Sequence, residues 1–99
     1  MFALVVSLRI KPGTVAAFQE TVKRQATMTF NEEPGCRRFD AVQSTTDEHH
    51  WLLYEIYDDE VAFESHRTTA HFREWRAAVG ELVEHQVNTS GSIFVSNGE

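Results

Sequence analysis

Two side chains in this sequence combine acid–base chemistry with apolar surroundings. His66 falls on the apolar side of a predicted helix, together with Ala62 and Phe63, and histidine is the side chain whose ordinary pKa lets it exchange a proton near neutral pH. Glu55 lies in an otherwise apolar strand, where a carboxylate needs a partner because burying a lone charge is costly. We therefore predict a Glu55–His66 pair in which Glu55 orients His66 as a general base. The same pair could simply link a strand to a helix, and the sequence leaves that alternative open.

Four further side chains are candidates for lining a substrate pocket. His71 and Trp75 are four residues apart, so they lie on one face of a helix and could close a pocket with an aromatic wall. Tyr54 and Phe39 could add aromatic lining from the sheet. Ordinary core packing is the alternative for all four, because large aromatic side chains supply much of the buried surface of small domains.

The two histidines also raise the question of a metal. His66 and His71 are five residues apart, so on one unbroken helix they would diverge by about 140°, unlike the i, i+4 pair of a zinc site. A helix break at Thr68-Thr69 could bring them together, and with Glu55 they would form a two-histidine, one-carboxylate iron triad. We keep this as the lesser alternative and predict that no metal is bound.

The elements that must position these residues follow from the hydrophobic pattern. Phe2 to Ile10 alternates as a strand, and Thr14 is a suitable N-cap for a helix that runs to about Glu33. Strands are predicted at 36–44, 50–58 and 87–95, and helical spacing at 61–83 with a break at Thr68-Thr69. The order β-α-β-β-α-β predicts a single α+β domain over residues 1–99, of ferredoxin-like architecture, with helices on one face of an antiparallel sheet.

The third predicted strand suggests a second copy of the chain. Trp51 and Leu53 alternate with Leu52, Tyr54 and Ile56, so both faces of the strand are largely apolar, whereas a sheet with one solvated face usually alternates apolar and polar residues. One layer of helices covers only one face. We therefore predict a homodimer packed sheet against sheet, with a monomer that exposes a few aromatic residues as the alternative.

Composition limits the other partners. The 99 residues carry a net charge of −6, which argues against nucleic acid or an anionic membrane as the main partner. No apolar run reaches the roughly 18–20 residues of a membrane span, and the first residues do not have the pattern of a signal peptide. The single cysteine, Cys36, fits a reducing compartment. A cytoplasmic protein that acts on a small molecule is the expectation.

Several motifs resemble the antibiotic biosynthesis monooxygenase family. They are Glu33-Pro34-Gly35-Cys36, Arg38-Phe39-Asp40 with Gln43, Tyr54-Glu55-x-Tyr57-x-Asp59, and Ala62-Phe63-x-x-His66-x-x-Thr69-x-His71-Phe72. The resemblance covers nearly the whole chain and implies a dimeric α+β barrel. The family includes cofactor-independent oxygenases of phenols and quinols, haem-degrading enzymes, and an isomerase of the phosphorylated autoinducer-2 signal, so it indicates the fold more firmly than the reaction.

The resemblance implies three alternatives for function. The first is a cofactor-independent monooxygenase of a small phenol or quinol, with His66 as base and Glu55 behind it. The second is an isomerase or tautomerase of a small hydroxy-ketone, since Arg38-Phe39-Asp40 and the residues 66–71 are similar to the autoinducer-2 branch. The third is a dimer that binds a ligand without turnover.

No cofactor is predicted. The sequence contains neither a phosphate-binding glycine loop nor a dinucleotide fingerprint. The haem-degrading branch places an asparagine, a tryptophan and a haem-ligating histidine where this chain has Val6, His66 and Arg76. The resemblance therefore disfavours haem degradation.

Overall fold

Four strands and three helices make up the chain. The computed structural model describes residues 1–98. Along the chain the elements are β1 (Phe2–Ile10), α1 (Val15–Glu32), β2 (Cys36–Gln43), β3 (His50–Tyr57), α2 (Glu60–His66), α3 (Ala70–Leu82) and β4 (Val83–Ser92). The sheet is antiparallel with the strand order β2-β3-β1-β4. The predicted ferredoxin-like fold is therefore confirmed.

The register of the central strands assigns each side chain to a face of the sheet. Leu4 pairs with Glu55 and Val6 with Leu53, and because these residues are buried, this is the face that the helices cover. Side chains alternate along a strand, so Tyr54, opposite Val5, points to the other face. The pattern places Glu55 under the helices and Tyr54 on the uncovered face.

The core is formed where α1 and α3 pack on the inner face. Phe18 of α1 contacts both tryptophans, with ring centroids 5.0 Å from Trp51 and 6.0 Å from Trp75. Val22 and Val79 complete the contact between the two helices and the sheet. The helices present these residues because apolar positions recur three and four apart along each of them.

The helix break predicted at Thr68-Thr69 is present. α2 ends at His66 and α3 begins at Ala70. The hydroxyl of Thr69 accepts a hydrogen bond from the backbone N–H of Phe72, 3.1 Å away, and so caps α3. Asp59 caps α2 in the same way by accepting from the N–H of Ala62. Two short helices therefore replace one long one, which fixes the positions of His66 and His71.

The last strand differs from the prediction. It covers Val83–Ser92 and follows α3 directly, whereas the apolar pattern predicted 87–95. Among the described residues, β4 is an edge strand that pairs only with β1, and Glu84 and His85 are exposed in it. A polar stretch can form such a strand because the backbone pairing with β1 determines its extent, so hydropathy placed its start too late.

The outer face of the sheet exposes apolar side chains. Val5, Val42, Leu52, Tyr54 and Val87 are 36–51% exposed. Ile56 also belongs to this face by register, yet it is only 6% exposed. Within residues 1–98, no helix has both the length and the hydropathy needed to cross a membrane.

Candidate active site

A mostly buried carboxylate lies between two imidazoles. Nδ1 of His66 is 2.8 Å from Oε2 of Glu33 and 3.1 Å from Oε1. Nε2 of His71 is 2.5 Å from the same Oε2. The side chains are 3%, 8% and 12% exposed for His66, His71 and Glu33. Glu33 therefore joins both rings in one hydrogen-bonded cluster.

Three helix ends bring the cluster together. Glu33 follows the last residue of α1 and its backbone N–H donates to the carbonyl of Thr29. His66 is the last residue of α2 and His71 the second of α3. The turn between these helices places the two rings 6.1 Å apart, which a continuous helix would not allow.

The predicted Glu55–His66 pair is wrong. His66 pairs with Glu33, and the carboxylate of Glu55 accepts a hydrogen bond of 2.7 Å from the Tyr57 hydroxyl. Both residues of that pair lie on β3 and point inward, since Glu55 and Tyr57 are two residues apart. The sequence indicates that Glu55 is buried and needs a partner, and alternation along β3 places the Tyr57 hydroxyl on the same face.

Burial changes the protonation of Glu55. Desolvation raises the pKa of its carboxyl from 4.5 to about 7, against the lowering effect of the Tyr57 hydrogen bond, and the charge of Glu33 adds to the increase. Burial likewise raises the pKa of Tyr57, with the charge of Glu55 as the next cause. Tyr57 therefore remains a hydroxyl donor while Glu55 titrates near neutral pH.

His66 lies among aromatic rings. Its centroid is 5.1 Å from Phe72, 5.2 Å from Tyr57 and 6.0 Å from Phe63. Desolvation lowers the pKa of His66, opposed by the hydrogen bond and charge of Glu33. The neutral imidazole, which can accept a proton, is therefore favoured at neutral pH.

Glu33 also determines which ring nitrogens are available. If it is ionised, His66 donates to it through Nδ1–H and His71 through Nε2–H. The lone pairs then lie on the opposite nitrogens, Nε2 of His66 and Nδ1 of His71. A carboxylate that fixes two tautomers in this way prepares both rings to act as bases.

A cleft between α1 and α3 reaches the cluster. It has a volume of about 190 Å³ and is lined by His71 and Trp75, with Arg24, Gln25 and Glu74. Two of the four predicted pocket residues, His71 and Trp75, are therefore brought together. Both remain largely buried, at 8%.

The other two predicted pocket residues lie elsewhere. Tyr54 is on the outer face of the sheet, 37% exposed, so it does not lie between the helices and the sheet of its own chain, and its role in substrate binding stays a prediction. Phe39 shares the inner face with Glu55 through their pairing, but it lines a separate depression beside Phe30 and Arg37. The alternation along β3 could have excluded Tyr54, because Glu55 and Tyr54 are adjacent and point to opposite faces.

The cluster has the composition of a metal site. One ligand atom from each of Glu33, His66 and His71 lies within 4.8 Å of the other two, so the three residues could hold a metal ion. The carboxylate of this set is Glu33, whereas the sequence had suggested Glu55. The distances of 2.5 and 2.8 Å are those of hydrogen bonds.

Comparison with known proteins identifies the family. The family model described as antibiotic biosynthesis monooxygenase matches residues 1–78. The protein named "Putative monooxygenase Rv0793" from Mycobacterium tuberculosis is 31% identical over 85 residues, which are 86% of this chain and 82% of that protein. The chain belongs to the antibiotic biosynthesis monooxygenase family.

Other similar proteins carry a second activity in their names. (4S)-4-Hydroxy-5-phosphonooxypentane-2,3-dione isomerase of Klebsiella pneumoniae is 32% identical over 72 residues, 73% of this chain and 72% of that protein. Among solved structures, "Putative antibiotic biosynthesis monooxygenase from Nitrosomonas europaea" has a TM-score of 0.90 at 28% identity, covering 96% of this chain and 100% of that one. The antibiotic biosynthesis monooxygenase fold is thus clear, and both reactions remain candidates.

Glu33 is the member of the cluster that reasoning from the sequence missed. It stands directly before Pro34-Gly35, among the residues that resemble the antibiotic biosynthesis monooxygenase family, where we assigned it only to the end of a helix. A signal was present, because an acidic residue at a helix C-terminus is unfavourable for the helix dipole. Such a residue calls for a local cation or donor, and the two imidazoles supply donors.

Proposed function

We propose that this chain is a cofactor-independent monooxygenase of a small phenol or quinol, with His66 as the general base. The observation that carries the proposal is the buried cluster in which Glu33 binds both imidazoles at 2.8 and 2.5 Å. A neutral, oriented imidazole in an apolar site can deprotonate a phenolic hydroxyl. Glu33 takes the orienting role that the sequence had assigned to Glu55.

The other members of the site have supporting roles. His71 lines the cleft beside Trp75. His66 does not line it and lies at a ring-centroid distance of 6.1 Å from His71, so the proposal requires that a substrate hydroxyl enter past His71 to reach the base. Trp75 offers an aromatic wall for a planar ring. The rings of Tyr57, Phe63 and Phe72 around His66 keep water away from the base.

The reaction needs no cofactor because the substrate supplies the electrons. Loss of the hydroxyl proton to the base leaves a phenolate, which passes one electron to O₂. The resulting radical and superoxide combine at a ring carbon that carries hydrogen, and the peroxide anion takes the proton back from the base. The outer OH group then leaves with that carbon's hydrogen as water, which leaves a carbonyl. One oxygen atom ends in the quinone product and the other in water, so electrons and atoms balance.

Isomerisation of a small hydroxy-ketone is the second candidate. The similarity to the phosphonooxypentane-dione isomerase favours it, and a cluster with two imidazoles can remove a proton from one carbon and return it to another. Binding of a ligand without turnover is the third candidate.

A reduced naphthoquinol should be consumed together with O₂ if the first proposal holds. Consumption of a hydroxy-ketone without O₂ uptake would support the isomerase instead. Binding of a ligand without turnover would support the third candidate.

We also propose a homodimer that uses the outer face of the sheet. Five apolar residues there are 36–51% exposed, namely Val5, Val42, Leu52, Tyr54 and Val87. They come from all four strands, so the patch extends across the sheet, and a second copy packed face to face would cover it.

Residues 1–99 are proposed to act as one unit in the cytoplasm. The family model ends at residue 78, but β4 lies wholly beyond that residue and pairs with β1 from Val83 to Ser92, with one register shift. The lone Cys36 thiol supports a reducing compartment.

A further inference from the structure

The hydroxyl of Thr69 makes two hydrogen bonds that join two helices. It donates to the carbonyl of His66, the last residue of α2, at 2.9 Å. It also accepts from the backbone N–H of Phe72, in the first turn of α3, at 3.1 Å. One side chain thus uses both its donor and an acceptor lone pair, which a hydroxyl group can do and a methyl group cannot.

The residues held in this way belong to the buried cluster or lie against it. His66 binds Glu33 through Nδ1 at 2.8 Å, and the ring centroid of Phe72 lies 5.1 Å from that of His66. His71 directly precedes Phe72 in the chain, and its Nε2 lies 2.5 Å from Oε2 of Glu33. A shift of α2 against α3 would therefore move the two imidazoles relative to the one carboxylate that they share.

The neighbouring bonds of the turn do not make the same connection. The backbone N–H of Thr69 donates to the carbonyl of His66 at 3.3 Å, just beyond the usual range for such bonds. The hydroxyl of Thr68 donates to the carbonyl of Ser65 in α2 at 2.7 Å, and within residues 1–98 it accepts no hydrogen bond from α3. Thr68 therefore offers a matched comparison, because it is the same residue type one position away.

We propose that Thr69 is a positioning residue of the candidate active site, whose hydroxyl keeps His66 and His71 at the spacing that lets both bind Glu33. Thr69 does not line the cleft between α1 and α3, so it acts on the imidazoles and not on a substrate held there. A misplacement of about 1 Å can cost a reaction roughly 10²-fold. The expected effect on turnover rests on the proposed function, whereas the spacing of the two rings can be observed without a substrate.

Nuclear magnetic resonance observes the two imidazoles directly. An imidazole N–H that donates to a buried carboxylate resonates far downfield and exchanges slowly with water, so His66 and His71 should each give such a signal. Thr69→Val keeps the shape of the side chain and removes the hydroxyl, and it should lose at least one of the two signals. Thr69→Ser keeps the hydroxyl, and Thr68→Val leaves the link between the helices in place, so both should retain the two signals.

Steady-state kinetics on the same variants tests the consequence for the reaction. With a reduced naphthoquinol as substrate, Thr69→Val should lower kcat per folded molecule roughly 10- to 100-fold and leave KM unchanged, because the cleft is intact. Thr69→Ser should restore most of kcat, and Thr68→Val should keep it. A residue that serves only the stability of the fold would lower the folded fraction without changing kcat per folded molecule.

Thr69→Asp provides the test if Thr69→Val does not fold. An ionised carboxylate accepts hydrogen bonds and is a favoured N-cap, so it still caps α3. It has no proton to donate to the carbonyl of His66. Thr68→Asp introduces the same charge one residue away and is the control. The imidazole signals should be lost in Thr69→Asp and retained in Thr68→Asp.

The failure of this inference differs from the failure of the proposed function. Retention of both imidazole signals in the folded Thr69→Val or Thr69→Asp protein would overturn the inference, even if turnover depends on His66 and the proposed function stands. If the signals are lost as expected but the wild type consumes no quinol, Thr69 positions the two imidazoles and the proposed function fails.

Discussion

The backbone of Gly35 packs directly against the side chain of Ala62. A Cβ atom placed on Gly35 would lie 2.7 Å from Cβ of Ala62 and 3.8 Å from its Cα. The carbonyl of Gly35 also accepts a hydrogen bond of 2.9 Å from the N–H of Asp58. This contact sets the distance between the start of β2 and helix α2, and thereby the distance between Glu33 and His66, which lie two and four residues away along the chain.

The first prediction concerns that contact. Gly35→Ala should lower the free energy of unfolding by about 1–3 kcal/mol, the usual cost of forcing a methyl group into a filled space. Denaturant unfolding measures it. Ala62→Gly removes the opposing methyl group, at a helix cost of about 1 kcal/mol. The double variant should lose less unfolding free energy than the two single variants lose in sum. Strict additivity of the two losses would show that the two residues do not compete for space.

The second prediction concerns the cluster. His66→Ala should lower turnover roughly 10²–10⁴-fold, the usual range for a positioned acid–base group, while the protein stays folded. Glu33→Gln should lower turnover less, because an amide can still accept from one ring but no longer carries the charge that holds both tautomers. Turnover and melting temperature must be measured on the same preparations.

Glu55→Gln is the matched control for the cluster, since Glu55 bonds to Tyr57 and not to His66. It should keep most of the turnover. If the cluster is only a structural link, the loss of activity in His66→Ala will follow the folded fraction, and activity per folded molecule will be unchanged. That result would remove the catalytic role.

The third prediction concerns pH and Glu55. The pKa of its carboxyl is raised from 4.5 to about 7 in the folded chain, so between these values the folded state holds a proton that the unfolded state has lost. The contribution of Glu55 is therefore fully present below pH 4.5 and is lost as the pH rises to about 7. A pKa shift of this size corresponds to on the order of 3 kcal/mol of unfolding free energy.

Glu55→Gln should remove this decline, because glutamine does not titrate and can still accept from Tyr57. The difference in unfolding free energy between variant and wild type should grow from pH 4.5 to 7 and then level off. The unfolding free energy of the variant must be compared with that of the wild type at each pH. The lowered pKa of His66 makes the stability of both proteins rise with pH below 6.5, opposite to the effect of Glu55. A flat difference would show that Glu55 titrates normally.

The fourth prediction concerns the dimer. Leu52→Lys places a charge on the outer face, where Leu52 is 39% exposed in one chain, and should dissociate a face-to-face dimer through burial of an unpaired charge. Sedimentation at micromolar concentration measures the mass. Glu20→Lys, exposed on α1, is the control and should stay dimeric. A wild-type protein that sediments as a monomer would contradict the dimer itself.

Ile56 is a poor choice for the same test. The sequence places it on the outer face with Leu52, but it is only 6% exposed within a single chain. Lysine there would destabilise the chain whether or not a dimer forms.

The fold could be predicted because its signals are local. Alternation in β1 and the capping residues Asp59 and Thr69 specify strands and helix starts from neighbouring residues alone. The helix break predicted at Thr68-Thr69 separates α2 from α3.

The partners in the site could not be predicted in the same way. Glu33 and Glu55 are both acidic residues near His66. Which of them contacts His66 depends on how the turn at Pro34-Gly35 orients the end of α1 relative to α2. That geometry rests on the close contact of Gly35 with Ala62, a pair 27 residues apart in the sequence. The intrastrand partner of Glu55, by contrast, follows from alternation once Tyr57 is considered as a donor.

The last prediction is that turnover does not need a metal. Two ligands of one tetrahedral zinc ion, each about 2.0–2.1 Å from it, lie about 3.3 Å apart, whereas Oε2 of Glu33 lies 2.5 and 2.8 Å from its two nitrogen partners. Both distances are in the range of hydrogen bonds, and a metal bound by both atoms of either pair would have to widen the contact. Protein treated with a chelator and then freed of it should keep its turnover, and elemental analysis should find less than one metal per chain. Stoichiometric iron that disappears in His71→Ala, together with activity that returns only on adding iron, would replace the acid–base cluster with an iron site formed by Glu33, His66 and His71.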